Sequence, residues 1–129
     1  MNTVIVGLGS NIKPAENILK ARRVLAKKYN ILKESDFIKT KAIGKIPQAD
    51  FLNGTMLLQT SLNMNEFRKS LKEIEQSLGR KARHQPFAPR TIDLDILIWN
   101  GKLIDRDVYK RDFLEKSVSE LMPDFENKR

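Results

Sequence analysis

The sequence has no cysteine and only one histidine among its 129 residues. Disulfides and thiolate metal sites are therefore excluded, and any metal ion has to be held by oxygen ligands or by that histidine, His84. A single histidine in a basic, irregular segment is more typical of a solvated side chain than of a general base. We therefore assign His84 no chemical role.

Long apolar runs are also missing. No stretch of 18 apolar residues occurs, and the N-terminal segment does not combine a basic region with an apolar run and a cleavage site. We therefore expect a cytoplasmic protein that has no membrane partner. With 40% hydrophobic residues, the chain suits one compact domain over residues 1–129.

The glycine-rich motifs of nucleotide-binding loops are absent as well. Residues 7–11, Gly-Leu-Gly-Ser-Asn, lack the third glycine of the dinucleotide fingerprint, because Ile12 stands at its position, and no P-loop pattern occurs. Any nucleotide then has to be held by side chains and metal ions. We interpret Gly7 and Gly9 as the end of a strand.

Positive charge is what the sequence has in excess, with a formal net charge of +8 at pH 7. Such a charge favours an anionic partner, which can be a nucleic acid or a small phosphorylated ligand. Charge alone does not choose between these two classes.

Two aspartates stand two positions apart in residues 91–97, Thr-Ile-Asp-Leu-Asp-Ile-Leu, which otherwise have the composition of a buried strand. Because side chains alternate along a strand, Asp93 and Asp95 are expected on one face. At a separation of ~6 Å and an effective dielectric constant near ~20, their carboxylates repel by on the order of 3 kcal/mol. On the pattern alone, a solvated sheet face that screens the pair is the more common explanation.

The surroundings of the pair change that balance. Leu97 and Trp99 are expected to continue the same face, so it is not simply a polar surface. Three arginines lie just upstream, at Arg80, Arg83 and Arg90. Carboxylates next to arginines and a proline-containing loop favour a site for phosphate and a divalent cation.

Hydrophobic periodicity predicts an alternation of strands and helices. The predicted elements are a strand over 3–8, a helix from Pro14 to about Tyr29, a weaker strand over 31–39, a strand over 54–60, a helix that Asn63 caps and Gly79 ends, the aspartate strand, a hairpin turn at Asn100-Gly101 and a short helix around 114–121. The order of the first six is that of ferredoxin-like α+β domains, which have an antiparallel sheet with both helices on one face.

Four blocks of this sequence, in this order, resemble the 6-hydroxymethyl-7,8-dihydropterin pyrophosphokinase family of folate biosynthesis. They are residues 7–11, residues 48–54 (Gln-Ala-Asp-Phe-Leu-Asn-Gly), residues 78–80 (Leu-Gly-Arg) and residues 88–97 (Ala-Pro-Arg-Thr-Ile-Asp-Leu-Asp-Ile-Leu). The resemblance implies an enzyme that transfers the pyrophosphoryl group of ATP to the hydroxymethyl group of the pterin and releases AMP. It also implies ATP as co-substrate and two Mg²⁺ ions held by Asp93 and Asp95, so that no histidine base is required.

The same resemblance assigns further site residues position by position. Arg80 and Arg90 would join the two aspartates as catalytic residues, and Arg80, with Lys81 or Arg83, would lie on a loop that closes over ATP. The implied ATP contacts are Glu75, Arg80, Arg83, Arg90, Ile96 and Arg111. The implied pterin contacts are Thr40, Ile43, Phe51, Asn53, Phe87 and Phe113. Among these, Asn53 would pair with the donor and acceptor edge of the ring, between stacking aromatics.

The sequence departs from the family pattern at three places. Phe87 replaces the usual tryptophan, and Lys41 replaces a proline. The segment after the hairpin is several residues too short for a Pro-His pair that contributes to the nucleotide site. A shortened C-terminal segment is therefore expected to alter the contacts on the adenine side and the alignment of Arg111 and Phe113.

Two other functions stay open at this point. The charge is compatible with a ferredoxin-like nucleic-acid-binding module, which would need aromatic side chains on the exposed face of the sheet. The shortened segment is compatible with a family member that binds the pterin without transferring pyrophosphate. The favoured interpretation is the enzyme, as a monomer that binds small molecules and neither nucleic acid nor membrane.

Overall fold

The computed structural model describes residues 1–41, 47–79, 91–106, 108 and 111–125. The elements in chain order are β1 (Asn2–Ser10), α1 (Pro14–Lys28), β2 (Asn30–Glu34), β3 (Ile38–Thr40), β4 (Phe51–Thr60), α2 (Met64–Ser77), β5 (Asp93–Trp99), β6 (Lys102–Leu103) and α3 (Asp112–Leu121). In this part of the chain, no helix is long and apolar enough to cross a membrane.

The strands form one antiparallel sheet in the order β2-β4-β1-β5-β6, and the short β3 also pairs with β4. β1 lies between β4 and β5, so the two split βαβ units interleave in the ferredoxin-like manner. The predicted α+β fold is confirmed, and the hairpin at Asn100-Gly101 joins β5 to β6 as expected.

The single strand predicted over 31–39 is wrong, because two strands, β2 and β3, occupy that stretch. Ser35 stands at the break between them. Its main-chain N–H donates to Thr55 O, and its side-chain Oγ accepts from Thr55 N, both at 2.9 Å. A hydroxyl oxygen thus replaces the carbonyl that a continuous ladder would supply, so β4 keeps its hydrogen bonds while the neighbouring strand is interrupted.

Helices α1 and α2 pack against one face of the sheet, which we call the helix-side face. Pro14 begins α1, where its missing N–H costs nothing, and a reciprocal capping box between Asn63 and Glu66 begins α2. Phe67 is fully buried between helix and sheet, with ring centroids 5.0 Å from Tyr29 and 5.9 Å from Trp99. The buried residues on this side are Val4, Val6, Leu8, Ile18, Ala21, Leu25, Met56, Leu58, Phe67, Leu71, Ile74, Ile92, Leu94 and Ile96.

Helix α3 packs against the opposite face, which we call the second face. Val118 and Leu121 of this helix join a separate buried cluster with Ile5, Leu57 and Leu97 of the sheet. The two-layer arrangement expected from the sequence therefore holds for α1 and α2 but leaves out α3. The second face is the one that carries Asp93 and Asp95, and its apolar part lies under α3.

A β-bulge in β5 changes which side chains reach each face. Val6 of β1 pairs with Ile96 and Ile5 pairs with Ile98, so Leu97 is an extra residue in the ladder. The alternation of side chains is reversed beyond this point. Trp99 consequently packs into the helix-side core, and the expectation that it shares a face with the aspartates is wrong.

An exposed ion pair links α1 to the edge strand β2. Arg22 donates from Nε and Nη2 to the two carboxylate oxygens of Glu34, at 2.9 and 2.7 Å. These hydrogen bonds lower the pKa of Glu34 below its ordinary value of 4.5. Since the folded carboxyl binds its proton more weakly, its contribution to stability is fully present above pH 4.5 and is lost as the pH falls through the lower folded pKa.

We predict that Glu34→Gln lowers the free energy of unfolding at pH 7 by about 0.5 kcal/mol, a small amount because both side chains are about one third exposed. Urea unfolding at a series of pH values measures the effect, with Glu73→Gln on an exposed position of α2 as the matched control. The difference from the wild type should vanish well below the ordinary pKa of the carboxyl. A difference of constant size at all pH values would show that the ion pair is not its source.

Candidate active site

One row of residues crosses the second face of the sheet from β4 to β5. Gly9 of β1 pairs with Asn53 on one side and with Asp93 on the other. Because neighbouring strands lie just under 5 Å apart, the backbones of Asn53 and Asp93 are roughly 10 Å apart, with only a glycine between them. The next row along β1 consists of Thr55, Gly7 and Asp95.

The two glycines keep the gap between the outer strands open. A Cβ atom on Gly9 would lie 2.7 Å from Asn53 Oδ1 and 3.8 Å from Phe51 Cδ1, and one on Gly7 would lie 3.2 Å from Leu97 Cδ1. Both glycines lie inside β1, which continues to Ser10, so the interpretation that they end the strand is wrong. Gly9 lets the Asn53 amide lie beside the central strand, and Gly7 leaves room for the Leu97 side chain.

Asp93 and Asp95 share the second face, as the alternation of side chains predicts. Their neighbours Ile92, Leu94 and Ile96 point into the helix-side core. Asp93 is half-buried and Asp95 is exposed. Two carboxylates on one face supply the hard oxygen ligands that Mg²⁺ prefers, so this pair fits a divalent cation. No group of three or more potential His, Asp or Glu ligands occurs in the described ranges.

Glu75 of α2 holds the backbone between the two aspartates from the opposite side of the sheet. Its side chain is buried, and Oε2 accepts a hydrogen bond of 2.7 Å from Leu94 N. β6 pairs only with Ile98 and Trp99, so at Leu94 this carboxylate takes the position that a further strand would occupy. Glu75 therefore does not lie on a solvated face of its helix, and its predicted contact with ATP stays a prediction.

Three of the predicted pterin contacts lie together on the second face. Asn53 Nδ2 donates to Thr40 Oγ1 at 2.5 Å, which fixes the orientation of the amide. Phe51 is half-buried beside Gly9. The strand predicted over 54–60 begins earlier than expected, because β4 starts at Phe51, which pairs with Thr40 of β3.

Arg111 and Phe113 lie at the start of α3, the helix that packs on the second face. The guanidinium carbon of Arg111 is 6.0 Å from the centre of the Phe113 ring.

Ile96 points its side chain into the helix-side core, so an ATP contact there would involve its main chain. The remaining predicted residues fall outside the described part of the chain: Ile43, Arg80, Arg83, Phe87 and Arg90.

Two polar residues that the sequence analysis did not single out anchor the segments on either side of the site. Ser10 is fully buried, with Oγ 2.6 Å from Thr91 O. Asn11 donates from Nδ2 to Gln48 Oε1 at 2.6 Å and to Ala49 O at 3.0 Å. The available signal was a pair of hydrogen-bonding residues directly after the glycines of β1.

Comparison with known proteins identifies the family of this chain. The model of the 7,8-dihydro-6-hydroxymethylpterin-pyrophosphokinase family matches residues 5–123. The chain belongs to this family. The 2-amino-4-hydroxy-6-hydroxymethyldihydropteridine pyrophosphokinase of Aquifex aeolicus is 39% identical over 119 residues, which are 90% of this chain and 74% of that protein. The proteins of the same name from Bacillus subtilis and Synechocystis are 33% and 30% identical, over 93% and 97% of this chain and 78% and 69% of their own lengths.

In this member of the pterin pyrophosphokinase family, we predict that Glu75→Ala lowers the free energy of unfolding by about 1–3 kcal/mol, because the buried N–H of Leu94 loses its acceptor. Glu75→Gln keeps an acceptor oxygen, so its free energy of unfolding should lie between those of the wild type and Glu75→Ala. Chemical denaturation measures the change, with Glu73→Ala, an exposed glutamate of the same helix, as the control. Equal stability of Glu75→Ala and Glu73→Ala would contradict the assigned hydrogen bond.

Proposed function

We propose that the chain transfers the pyrophosphoryl group of ATP to the hydroxymethyl group of 6-hydroxymethyl-7,8-dihydropterin and releases AMP, as a step of folate biosynthesis. Its membership of the family supports this activity. The observation in the structure that carries the proposal is the row Asn53, Gly9, Asp93. It places an amide suited to a heterocycle and a carboxylate suited to a cation on the same face, with open backbone between them.

The reaction requires positioning and charge neutralisation more than covalent chemistry by the protein. The hydroxymethyl oxygen attacks the β-phosphorus of ATP, the bond from that phosphorus to the oxygen shared with the α-phosphorus breaks, and AMP leaves with that oxygen. The proton of the hydroxyl is lost as the new bond forms. The chain therefore has to bring two reactants together in line and exclude water, which would compete as nucleophile.

Asp93 and Asp95 are the residues that would hold Mg²⁺, and two ions form part of the proposal. When bound, Mg²⁺ neutralises phosphate charge and lowers the pKa of the attacking hydroxyl. Asp93 and Asp95 both stem from β5, whose backbone between them is held by Glu75. The backbone that carries the two carboxylates is therefore held in place. The predicted phosphate contacts from Arg80, Arg83, Arg90 and Arg111 also belong to the proposal.

The pterin would bind over Gly9, on the β4 side of the row. The Asn53 amide gives one N–H to Thr40. An amide has a second N–H and a carbonyl oxygen, which match a donor and acceptor edge of the ring. Phe51 would contact the flat heterocycle from the neighbouring position, and Phe87, Phe113 and Ile43 are the further contacts that we propose.

The two rival functions are not favoured. A nucleic-acid-binding sheet needs several aromatic side chains on its open face, whereas Tyr29, Phe67 and Trp99 pack in the helix-side core and, among the described strand residues, Phe51 alone is an aromatic on the second face. The Asp93 and Asp95 carboxylates would also repel a nucleic-acid backbone. The proposal accordingly includes small-molecule substrates alone, a monomer, and a location in the cytoplasm, where ATP is available.

We predict that Asp95→Asn slows pterin-dependent AMP formation by at least about 10²-fold, because the amide no longer contributes the negative charge that a divalent cation requires. The variant should remain folded, because residue 95 is exposed and asparagine has nearly the same size and shape as aspartate. Quantification of AMP with ATP and magnesium present, with and without the pterin, measures the effect. Asp124→Asn, an exposed aspartate after α3, is the matched control.

The wild type should produce AMP only when the pterin is present and should stop when a chelator removes magnesium. A folded Asp95→Asn protein with undiminished turnover would refute the assigned role of the pair. A wild type that binds the pterin in calorimetry but forms no AMP would instead identify a member of the family that has lost the transfer reaction.

A further inference from the structure

The last residue of β1, Ser10, and the next residue, Asn11, are hydrogen-bonded to segments that lead into the two halves of the active site. Ser10 is fully buried and its Oγ lies 2.6 Å from Thr91 O, just before the strand that carries the aspartates. Asn11 is only 6% exposed, and it donates from Nδ2 to Gln48 Oε1 and to Ala49 O. Two adjacent residues thus hold two segments that are more than forty residues apart in the sequence.

The segment held by Asn11 leads directly into the pterin half of the site. Residues 47–50 lie outside the sheet, and β4 begins at Phe51. Gln48 is three residues before Phe51 and five before Asn53. The contacts of Asn11 therefore restrict the backbone that sets where the first residues of β4 lie.

We propose that Asn11 and Gln48 are positioning residues for the pterin half-site. This inference rests on the proposed function and identifies what holds its substrate site in a binding-competent state. Without the contacts of Asn11, the approach to β4 samples more conformations, and the pterin has to order it on binding. The apparent dissociation constant then rises by the inverse of the competent fraction.

The nucleotide half should be insensitive to the same change. Asp93 follows Thr91, which is held by Ser10, and the backbone of Leu94 is held by Glu75. Neither hydrogen bond involves Asn11 or Gln48. Loss of the Asn11 contacts should therefore weaken binding of the pterin and leave binding of ATP unchanged. A general loss of stability would weaken both.

The test compares three single alanine variants and the double variant that combines Asn11→Ala with Gln48→Ala. Asn11→Ala removes both contacts with the 48–49 segment, and Gln48→Ala removes one of them. Asn2→Ala is the matched control, because its Nδ2 also donates to a main-chain carbonyl, Leu62 O at 2.7 Å, but at the opposite end of β1. Calorimetry gives Kd for the pterin and, separately, for magnesium with a non-hydrolysable ATP analogue. Steady-state assays give KM and kcat, and thermal unfolding reports stability.

We predict that Asn11→Ala raises Kd and KM for the pterin about tenfold, while Kd for the ATP analogue changes by less than about twofold. Gln48→Ala should have a smaller effect in the same direction. In the double variant, the increase in the pterin Kd should be smaller than the combined effect of the two single variants, because the two residues share one hydrogen bond. Asn2→Ala should lower the thermal stability and leave both affinities unchanged.

The inference is overturned if Asn11→Ala changes pterin affinity no more than Asn2→Ala does, or if it weakens both substrates equally. Should Asn11→Ala fail to fold, Gln48→Ala decides, because that residue lies outside the sheet. The proposed function fails separately, when the wild type binds the pterin but forms no AMP. In that case the affinities still decide the role of Asn11 and Gln48.

Discussion

The site depends on the absence of side chains at two positions of the central strand. β1 has neighbours on both sides, so a side chain at position 9 would fill the gap between Asn53 and Asp93, and one at position 7 would fill the gap between Thr55 and Asp95. Gly9 and Gly7 leave these two gaps free of β1 side chains, and a Cβ on Gly9 would lie only 2.7 Å from the amide oxygen of Asn53. Glycine normally weakens the interior of a sheet. Here the lost stability is the consequence of a cleft in which two substrates can meet.

The two faces of the sheet divide the tasks of folding and chemistry. The helix-side face buries the larger apolar core under α1 and α2, whereas the buried apolar cluster of the second face lies beneath α3, and Asn53, Thr55, Asp93 and Asp95 flank the two glycines. Polar contacts fix the borders of the polar part: Glu75 holds the backbone of Leu94, Ser10 holds Thr91, and Asn11 holds the approach to β4. Carboxylates held on a supported strand need little reorganisation when a cation arrives, which is what catalysis by positioning requires.

Local patterns in the sequence predicted what local physics determines. Alternation placed Asp93 and Asp95 on one face, and the capping box at Asn63 began α2 where it was expected. The errors arose where the partner is distant in sequence. Ser35 interrupts a strand because its hydroxyl accepts a hydrogen bond from Thr55. The extra residue in β5, which turns the Trp99 side chain to the other face of the sheet, is recognised only from the pairing with β1. The glycines of β1 have the composition of a strand end, and only their neighbours across the sheet reveal the cleft.

Replacement of Gly9 by alanine tests this account most directly, because the new methyl group would take the place of the Asn53 amide. The result to expect is a folded protein whose Kd for the pterin, measured by calorimetry, is raised about tenfold or more. Gly101→Ala is the control. The positive φ of 78° at Gly101 makes a side chain there costly for stability, but the added methyl group would point into open space and contact no other residue. A Gly9→Ala protein that binds the pterin as tightly as the wild type would contradict the claim that bare backbone at this position forms the substrate site.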